Sequence, residues 1–366
     1  MRILAIDIGT GTQDILAFDT SSDVANCPKM VMPSPTALLR ARIQQATVQG
    51  QPLLLTGVTM GGGPAKGALR RHLQAGVAAY ATPDAARTFD DDLAEVEKMG
   101  VTIVSPDEAQ RLAGPEALEL ELKDVDLPAI KKALTAFGVN TGFDALAVAV
   151  LDHGNAPPGT SDRLFRFQHM QRTLEARPEL TALVHLASEV PDYLTRMKAV
   201  LQTVGPDIPT LLMDTGAAAV LGAGEDPEVS RHEDRLVANA GNSHTIAFHL
   251  HGTHIEGMFE HHTHALSGDR LDSLLQRLTR GSLSNREVFE DGGHGCVILG
   301  KDRRRHFLAV VGPQRDRLAA SALKPYFAVP HGDMMLTGCF GLVRACALRF
   351  EGWREEIERA LSQISE

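Results

Sequence analysis

Two segments of the chain repeat one pattern, in which an apolar strand, a polar glycine-containing turn and a second apolar strand follow one another. The first segment covers residues 3–18 and the second covers residues 236–248. Turns of glycine with threonine, asparagine or serine tolerate positive φ angles and leave backbone N–H groups free, so each segment predicts a β-hairpin. The pair predicts two similar lobes, each opening with such a hairpin.

The chain between and after the hairpins alternates between strand-like and helix-like segments. The apolar runs 51–60 and 144–151 are typical of buried strands, whereas 65–74 and 127–137 are typical of helices. This alternation predicts an α/β protein with mixed sheets. The clearest loop signal, rich in proline and glycine, begins at Asn155. The predicted organisation is therefore a first lobe, a mainly helical connecting segment and a second lobe, at residues 1–160, 161–208 and 209–366.

Composition excludes several classes of function. The net charge is −10, and no run of basic residues is longer than Arg303 to Arg305, so a groove that follows nucleic-acid phosphates is not expected. No uncharged apolar run approaches the 18 or so residues that a membrane span needs. The four cysteines form no CxxC pair, which favours a reduced, cytoplasmic setting. The oligomeric state is left open.

The first turn carries residue types that suit a nucleotide and its metal ion. Asp7 stands at a predicted strand end, where a carboxylate can organise a hydrated divalent cation such as Mg²⁺. The glycines and threonines that follow offer N–H and hydroxyl donors to phosphate oxygens. An ordinary hairpin turn with an exposed aspartate remains the alternative. The second turn has the same context, and two such turns across a cleft would hold the β- and γ-phosphates of a nucleotide from both sides.

These motifs resemble those of the actin-like ATPase superfamily, which includes sugar kinases, actin and the large heat-shock chaperones. The resemblance implies a two-lobed actin-like ATPase (ribonuclease H-like) fold with a central nucleotide cleft, ATP as the ligand and Mg²⁺ as its cation. It also implies a strand–glycine–helix motif for adenosine, matched here by Gly338. The predicted phosphate-loop residues of the two lobes are Asp7, Gly9, Thr10, Gly11, Thr12, Gln13, Gly241, Asn242, Ser243 and Thr245.

One position departs from the pattern of that superfamily. The second motif normally has an aspartate where this chain has Asn239, and an amide supplies neither charge to a metal's water shell nor a base. Asp214 is a candidate for the missing carboxylate. The departure bears on hydrolysis and phosphoryl transfer more than on nucleotide binding.

Histidines are concentrated in one part of the chain, since eight of the 15 lie between residues 244 and 294. In a three-strand meander the third strand returns towards the first turn, so residues 260–264 are expected beside His244. Imidazoles with a carboxylate suit Zn, Fe or Mn, and His262 and His264 would share one face of an extended segment while His261 points away. A strand end whose histidines bond to backbone is the alternative. The predicted metal ligands are Asp7, His261, His262 and His264.

The segments DxGTGxQD, EHHT, DGGHG and GDMMLTGCFG also resemble a family labelled as pyruvate formate-lyase activating proteins. The label implies a glycyl-radical activase, which uses a CxxxCxxC iron–sulfur motif. The four cysteines lack that spacing, so the activity is not expected here. A loop cysteine, Cys296, and its neighbour His294 were further candidates for a metal ligand or a base, with a buried strand start as the alternative.

Two functions are compatible with these residues. One is an ATP-dependent phosphotransferase or ATPase of unknown acceptor, with Asp7, Asp14 and His244 as catalytic residues. The other is a nucleotide- or metal-binding accessory protein that acts on a partner enzyme without turnover, which Asn239 favours. Carbamoyl or acyl transfer through an adenylate would in addition require a transition metal at the histidines.

Overall fold

The computed structural model describes residues 1–157, 159–300 and 306–362. The basic run at 303–305 and the loop residue Pro158 lie outside the described residues. The strands are β1 (Arg2–Ile8), β2 (Thr12–Asp19), β3 (Lys29–Pro33), β4 (Leu53–Gly57), β5 (Ala79–Ala81), β6 (Thr102–Ile103), β7 (Leu118–Leu122), β8 (Ala145–Val150), β9 (Val184–Leu186), β10 (Thr210–Met213), β11 (Asp234–Ala240), β12 (His244–His251), β13 (His254–His262), β14 (Gly295–Ile298), β15 (Phe307–Val311) and β16 (Tyr326–Phe327).

The helices follow the same chain-order numbering. They are α1 (Pro35–Gln49), α2 (Gly63–Gln74), α3 (Pro83–Ala86), α4 (Leu93–Lys98), α5 (Pro106–Leu112), α6 (Leu127–Ala136), α7 (Asp162–Ala176), α8 (Thr195–Val204), α9 (Thr215–Ala223), α10 (Pro227–Ser230), α11 (Gly268–Thr279), α12 (Asn285–Glu290), α13 (Thr337–Arg349) and α14 (Arg354–Ser362). Among the described residues, no helix combines the length and the apolar character that crossing a membrane requires.

Two six-stranded sheets share one topology. The first has the order β3-β2-β1-β8-β10-β9, and the second has the order β14-β13-β12-β11-β15-β16. In each sheet the hairpin strands are antiparallel, and the opening strand pairs in parallel with a later strand on its other side, β8 for β1 and β15 for β11. This repeated order confirms the predicted α/β fold of the actin-like superfamily, with two similar lobes.

The central strands of the first sheet are buried on both faces. In β1 every residue from Ile3 to Ile8 is buried, and in β8 the whole strand is buried, as expected for central strands covered by helices on both sides. The predicted strand at 144–151 and the helices at 65–74 and 127–137 are present within two residues of their expected bounds.

A third sheet was not expected from the sequence. Strands β4 to β7 form a separate parallel sheet in the order β6-β5-β4-β7, with its own hydrophobic core under α1 and α2. The apolar runs of this part of the chain were predicted as strands of the first lobe. Periodicity identifies a buried strand but not the sheet that it joins, which explains the difference.

The predicted lobe boundaries remain predictions, but strand pairing bears on two of them. Strand β10, which the sequence assigned to the start of the second lobe, is hydrogen-bonded to β8 in the first sheet. Strand β9, inside the segment predicted as mainly helical, pairs with β10 at the edge of that sheet. The first sheet is therefore completed only at Met213.

Helices α9 and α13 cross at very short distance between the sheets. A Cβ atom on Gly222 would lie 1.8 Å from the carbonyl oxygen of Thr337, and one on Gly341 would lie 1.9 Å from that of Ala218. Only glycine permits such close approach of two helix backbones. The crossing fixes the amino-terminal ends of both helices near the end of β1.

Candidate functional site

A cavity of about 300 Å³ lies where the carboxyl ends of the parallel strands of both sheets meet. Its walls include the turn after β1, the residues after β8 and β10, the turn after β11 and the residues after β15. Ligands of open α/β sheets bind at this edge, because the loops there differ from the packed strands and present free polar groups. The cavity is therefore the candidate site.

The two predicted phosphate turns are in direct contact across this cavity. The hydroxyl oxygens of Thr10 and Ser243 are 2.8 Å apart. A Cβ atom on Gly11 would lie 2.3 Å from Nδ2 of Asn242, so the glycine is needed for this close approach. Gly9, Thr12 and Gly241 line the cavity or its turns as expected.

Each turn is held by a hydroxyl group from a neighbouring segment. The Ser34 hydroxyl donates to the carbonyl oxygen of Thr10 at 2.9 Å. In the second turn, the Thr263 hydroxyl donates to the carbonyl oxygen of Gly241 at 2.8 Å and is 3.0 Å from that of Thr245. These bonds position the turns with respect to their own sheets.

Besides Gly11, which lies at the contact between the turns, two of the predicted phosphate-loop residues do not line the cavity. Thr245 is fully buried against Thr263, because it is the second residue of β12 and its side chain points into the lobe. Gln13 donates from Nε2 to the carbonyl oxygen of Pro33 at 3.3 Å, so it bonds to the edge strand β3. The sequence predicted both residues in a turn, whereas the structure places each of them in the strand that follows the turn.

Asp7 and Asp14 form an acidic pair beside the turns. They are directly opposite each other in the register of β1 and β2, and both side chains are buried. Burial raises the pKa of Asp7 to about 7, with the hydrogen bond from Thr215 opposing the rise and the charge of Asp214 adding to it. Burial and then the charge of Asp7 raise the pKa of Asp14 to about 8.

No described lysine, arginine or histidine forms an ion pair with either member of the acidic pair. Asp7 accepts a hydrogen bond of 2.5 Å from the Thr215 hydroxyl, whereas Oδ1 of Asp14 has no hydrogen-bond partner among the described residues. Two buried carboxyl groups without a basic partner retain their protons to unusually high pH, and a cation that replaces those protons stabilises the ionised form. Carboxylate oxygens are the ligands that Mg²⁺ prefers.

Gly338 also lines the cavity, but beside the acidic pair. A Cβ atom at this position would lie 1.9 Å from Oδ2 of Asp7, so the glycine lets the amino-terminal end of α13 approach that carboxylate. Another glycine, Gly312, follows β15 in the cavity wall with φ of 97°. Gly312 was not predicted from the sequence to belong to the site, although a glycine directly after a strand could have indicated it.

Three imidazoles converge beside this cavity, and one of them, that of His244, lines it. The ring of His244 is 5.0 Å from that of His262 and 4.7 Å from that of His294, and the rings of His262 and His294 are 4.8 Å apart, centroid to centroid. One nitrogen from each of the three lies within 4.8 Å of the other two. A fourth ring, that of His153, is 5.3 Å from the ring of His294.

Burial lowers the pKa of His244 to about 3 and that of His262 to about 4; Glu260 opposes this for His244, and the charge of His294 adds to it for both. Burial likewise lowers the pKa of His153 well below its usual value. The imidazoles of His244, His262 and His153 are therefore neutral at pH 7. The neutral imidazole is the form that ligates metals.

A buried arginine links Glu260, beside the histidines, to Asp214, at the start of α9. Arg166 donates from Nη2 and Nε to Oε2 of Glu260 at 2.7 and 3.0 Å, and its Nη2 is 2.8 Å from Oδ2 of Asp214. Burial opposes the charge of Arg166, but Asp214 and Glu260 hold its pKa above the usual value. Burial alone would raise the pKa of Glu260, yet Arg166 and His294 hold it well below the usual range.

Asp214 is fully engaged in this network. Its Oδ1 accepts from the backbone N–H groups of Gly216 and Ala217 at 3.0 and 3.4 Å and caps α9. Its other oxygen pairs with Arg166. Asp214 also lines the cavity, so the expectation that it supplies the carboxylate missing at Asn239 stays a prediction.

The predicted histidine ligands are only partly brought together. Register pairs His262 with His244 across β12 and β13, which confirms the expected return of the strand. His261 points to the other side of the sheet, where its Nε2 lies 3.3 Å from Asp291. His264 is exposed in the 3₁₀ turn at Thr263–Ala265 that follows β13. Its ring lies 6.2 Å from that of His262 and nearly parallel to it, but it is not one of the three histidines whose nitrogens converge.

Two important residues of the site were not identified from the sequence. Arg166 is an ordinary position in an amphipathic-looking helix, and His153 simply follows a strand. These two residues are recognised only from their tertiary contacts, which a local sequence pattern does not show. His294 was a candidate among several in its loop, and the structure selects it because β14 pairs with β13 and carries this loop to Glu260.

Comparison with known protein families identifies one match. One protein-family model, described as "Putative pyruvate format-lyase activating enzyme (DUF1786)", matches residues 60–317. No curated protein matches the chain.

Among solved structures, the activator of 2-hydroxyisocaproyl-CoA dehydratase from Clostridium difficile with bound ADPNP is 10% identical, with 100% of both chains covered and a TM-score of 0.37. The ethanolamine utilization protein EutJ from Carboxydothermus hydrogenoformans is 12% identical, covering 93% of this chain and 89% of that one, with a TM-score of 0.33. A Listeria monocytogenes protein described as an N-acetylmannosamine kinase is 11% identical over 96% and 100%, with a TM-score of 0.35. Because these scores are low, the fold assignment rests on strand order and register.

Proposed function

The chain belongs to the family described as pyruvate format-lyase activating enzymes, and we propose that it is an ATP-dependent phosphotransferase or ATPase that binds Mg²⁺-nucleotide between its two lobes. The radical chemistry in the family's description is not part of the proposal. Cys27, Cys296, Cys339 and Cys346 are each buried, and their spacing in the sequence is not that of an iron–sulfur motif.

The observation that carries the proposal is the uncompensated acidic pair beside the contact between the two turns. Asp7 and Asp14 supply the oxygen ligands and the negative charge that a divalent cation needs. The turns supply N–H and hydroxyl donors within reach of the same point, at Thr10 and Ser243. Positioning and charge neutralisation are most of what phosphoryl transfer asks of a protein.

The cavity suggests how a nucleotide would lie. Since Gly338 contacts Asp7, we place the cation and the phosphates at this end of the cavity and the nucleoside along the wall that contains Gly312. The hydrogen bond between Thr10 and Ser243 occupies the space between the turns. Phosphates therefore enter only when the turns separate, which a hinge motion between lobes provides.

The direct test is release of inorganic phosphate from ATP by the purified full-length protein with Mg²⁺ and no partner present. We expect turnover by the parent, and a loss of at least tenfold, about 1.4 kcal/mol, in Asp14→Asn. The control is Asp207→Asn, which removes one negative charge from an exposed loop residue and should behave as the parent.

A second candidate function is favoured by Asn239. This amide lies in the cavity wall, and Oδ1 would be 2.4 Å from a Cβ atom on Gly312, so it packs against the neighbouring loop and adds no charge to the second lobe. A protein that binds nucleotide with one acidic pair and no carboxylate at the end of β11 would act on a partner enzyme through lobe closure. Binding of Mg²⁺-ATP without phosphate release would support this candidate over the enzyme.

A further inference from the structure

The three converging histidines come from separate segments that the second sheet brings together. His244 begins β12, His262 ends β13 directly opposite it, and His294 precedes β14, which pairs with β13 at Glu260 and Gly295. Since the three residues are fixed by the register of three neighbouring strands, their proximity is a property of the fold.

The hydrogen bonding of His294 is the observation that points to a ligand. The side chain is 1% exposed, and among the described residues neither ring nitrogen has a hydrogen-bond partner. Its Nδ1 lies 2.9 Å from Oε1 of Glu260, at ion-pair distance but outside hydrogen-bond geometry. A buried polar group without a partner costs about 1–3 kcal/mol, so a fold retains one where something binds to it.

Glu260 has the position of a carboxylate that orients a metal-bound histidine. It lies 2.9 Å from Nδ1 of His294, while Nε2 of that ring has no hydrogen-bond partner among the described residues. Arg166 holds the second carboxylate oxygen with two donors. Carboxylates in this arrangement fix the ring and raise the basicity of the ligating nitrogen.

We propose that His244, His262 and His294 bind one divalent transition-metal ion of the zinc, iron or cobalt class. Ligand nitrogens about 2.0–2.1 Å from a common tetrahedral ion lie about 3.3 Å apart, and the three nitrogens here are within 4.8 Å of one another. Each nitrogen has to move by only about 1 Å to reach that geometry, a shift that side-chain rotation supplies.

The fourth coordination position would face the cavity. His244, Glu260 and His153 all line it, and the ring of His153 is 5.3 Å from that of His294. Three protein ligands with one open position are typical of catalytic metal sites, whereas structural sites use four. The site takes soft or borderline metals through nitrogen, and is thus chemically distinct from the oxygen-only acidic pair at Asp7 and Asp14.

The site goes beyond the proposed nucleotide function and is tested without any nucleotide. Untagged full-length protein is freed of metal with a chelator and titrated with Co²⁺, which absorbs visible light when it is four- or five-coordinate. We expect one Co²⁺ per chain, displaced by one equivalent of Zn²⁺ and unaffected by millimolar Mg²⁺. Displacement by Mg²⁺ instead would assign the ion to the carboxylates and overturn the proposal.

Variants locate the ion. His262→Ala and His294→Ala should each weaken Co²⁺ binding by at least a hundredfold, and His262 is half-exposed, so its replacement keeps the test valid if the buried His294→Ala fails to fold. The matched control is His264→Ala, two residues away and exposed, which should bind as the parent does. Equal weakening in His264→Ala, or no Co²⁺ binding by the parent, would contradict the site.

Discussion

At the scale of single residues, the acidic pair is the main feature of the candidate nucleotide site. Asp7 and Asp14 are opposite each other, buried and without a basic partner among the described residues. In the absence of a cation, their mutual repulsion and burial are unfavourable, and a bound Mg²⁺ removes both costs. The same two side chains therefore destabilise the metal-free protein and provide its affinity for a metal–nucleotide complex.

Asp7→Asn separates the two contributions. The amide retains an oxygen that accepts from Thr215 but loses the charge, so affinity for Mg²⁺-ADPNP should fall about tenfold or more, ~1.4 kcal/mol. Affinity for the metal-free nucleotide should change little. Calorimetric titrations of each protein with and without Mg²⁺ make the comparison, with Asp207→Asn as the charge control. Equal losses in both titrations would remove the cation role from Asp7.

Arg166 is a second residue whose effect is specific. It is 1% exposed and neutralises two buried carboxylates, those of Glu260 and Asp214. Arg166→Met leaves both charges buried without their partner, so the free energy of unfolding should fall by about 3–5 kcal/mol. Urea denaturation of the parent and the variant measures this free energy.

A matched control for this change lies on the same helix. Arg172 donates to the backbone of its own helix and is exposed, so Arg172→Met should alter stability by no more than about 0.5 kcal/mol. If the two variants lose similar stability, the buried network is not the support that the structure indicates.

The crossing of α9 and α13 is the feature that matters most at the scale of elements. It holds the start of α9, with Thr215, and the start of α13, with Gly338, against Asp7. Because the contacts at Gly222 and Gly341 are with backbone carbonyl oxygens of the other helix, neither neighbour can rotate away.

Gly341→Ala should therefore destabilise the protein by about 1–3 kcal/mol or more, in spite of the better helix propensity of alanine. The control is Gly67→Ala in α2, where a Cβ atom meets nothing closer than 3.6 Å and stability should rise by up to about 1 kcal/mol. Thermal unfolding of both variants gives the comparison. A gain of stability in Gly341→Ala would show that the helices do not cross as closely as described.

The elements also show what the sequence can predict and where it fails. Both hairpins and the pairing of His262 with His244 follow from local pattern, because strand period and turn residues are encoded in consecutive positions. The separate sheet of β4 to β7 and the placing of β10 in the first sheet depend on which strands pair, which local pattern does not determine.

At the scale of the site, motif residues in the turns were predictable and the supporting network was not. Asp7, Thr10 and Ser243 are identified by glycine-rich turns that repeat. Arg166 and Glu260 meet only after the first-lobe helix α7 packs against the second sheet, and they are 94 positions apart in the chain. A sequence pattern over a few residues does not indicate such a contact.

For the whole molecule, the contact between the turns implies that the lobes move. Thr10 and Ser243 are the point where the two hairpins touch, and phosphates cannot enter while they do. Replacing both by cysteine should allow a disulfide that holds the turns together under oxidising conditions. The native cysteines are buried and should not compete.

We expect the oxidised Thr10→Cys/Ser243→Cys protein to lose binding of Mg²⁺-ADPNP and to regain it on reduction with dithiothreitol. The single variant Thr10→Cys should bind equally well under both conditions. Unchanged binding by the oxidised double variant, with the disulfide verified by mass spectrometry, would show that the turns need not separate for the nucleotide to bind.

The central claim is that the cleft between the two hairpin turns binds a nucleotide through a divalent cation. Calorimetric titration of the parent protein with ADPNP in the presence of Mg²⁺ tests it most directly. The account predicts one nucleotide per chain, with affinity that falls at least tenfold when Mg²⁺ is removed by a chelator, ~1.4 kcal/mol. The absence of binding heat at millimolar ADPNP with Mg²⁺, or binding that is indifferent to the cation, would contradict it.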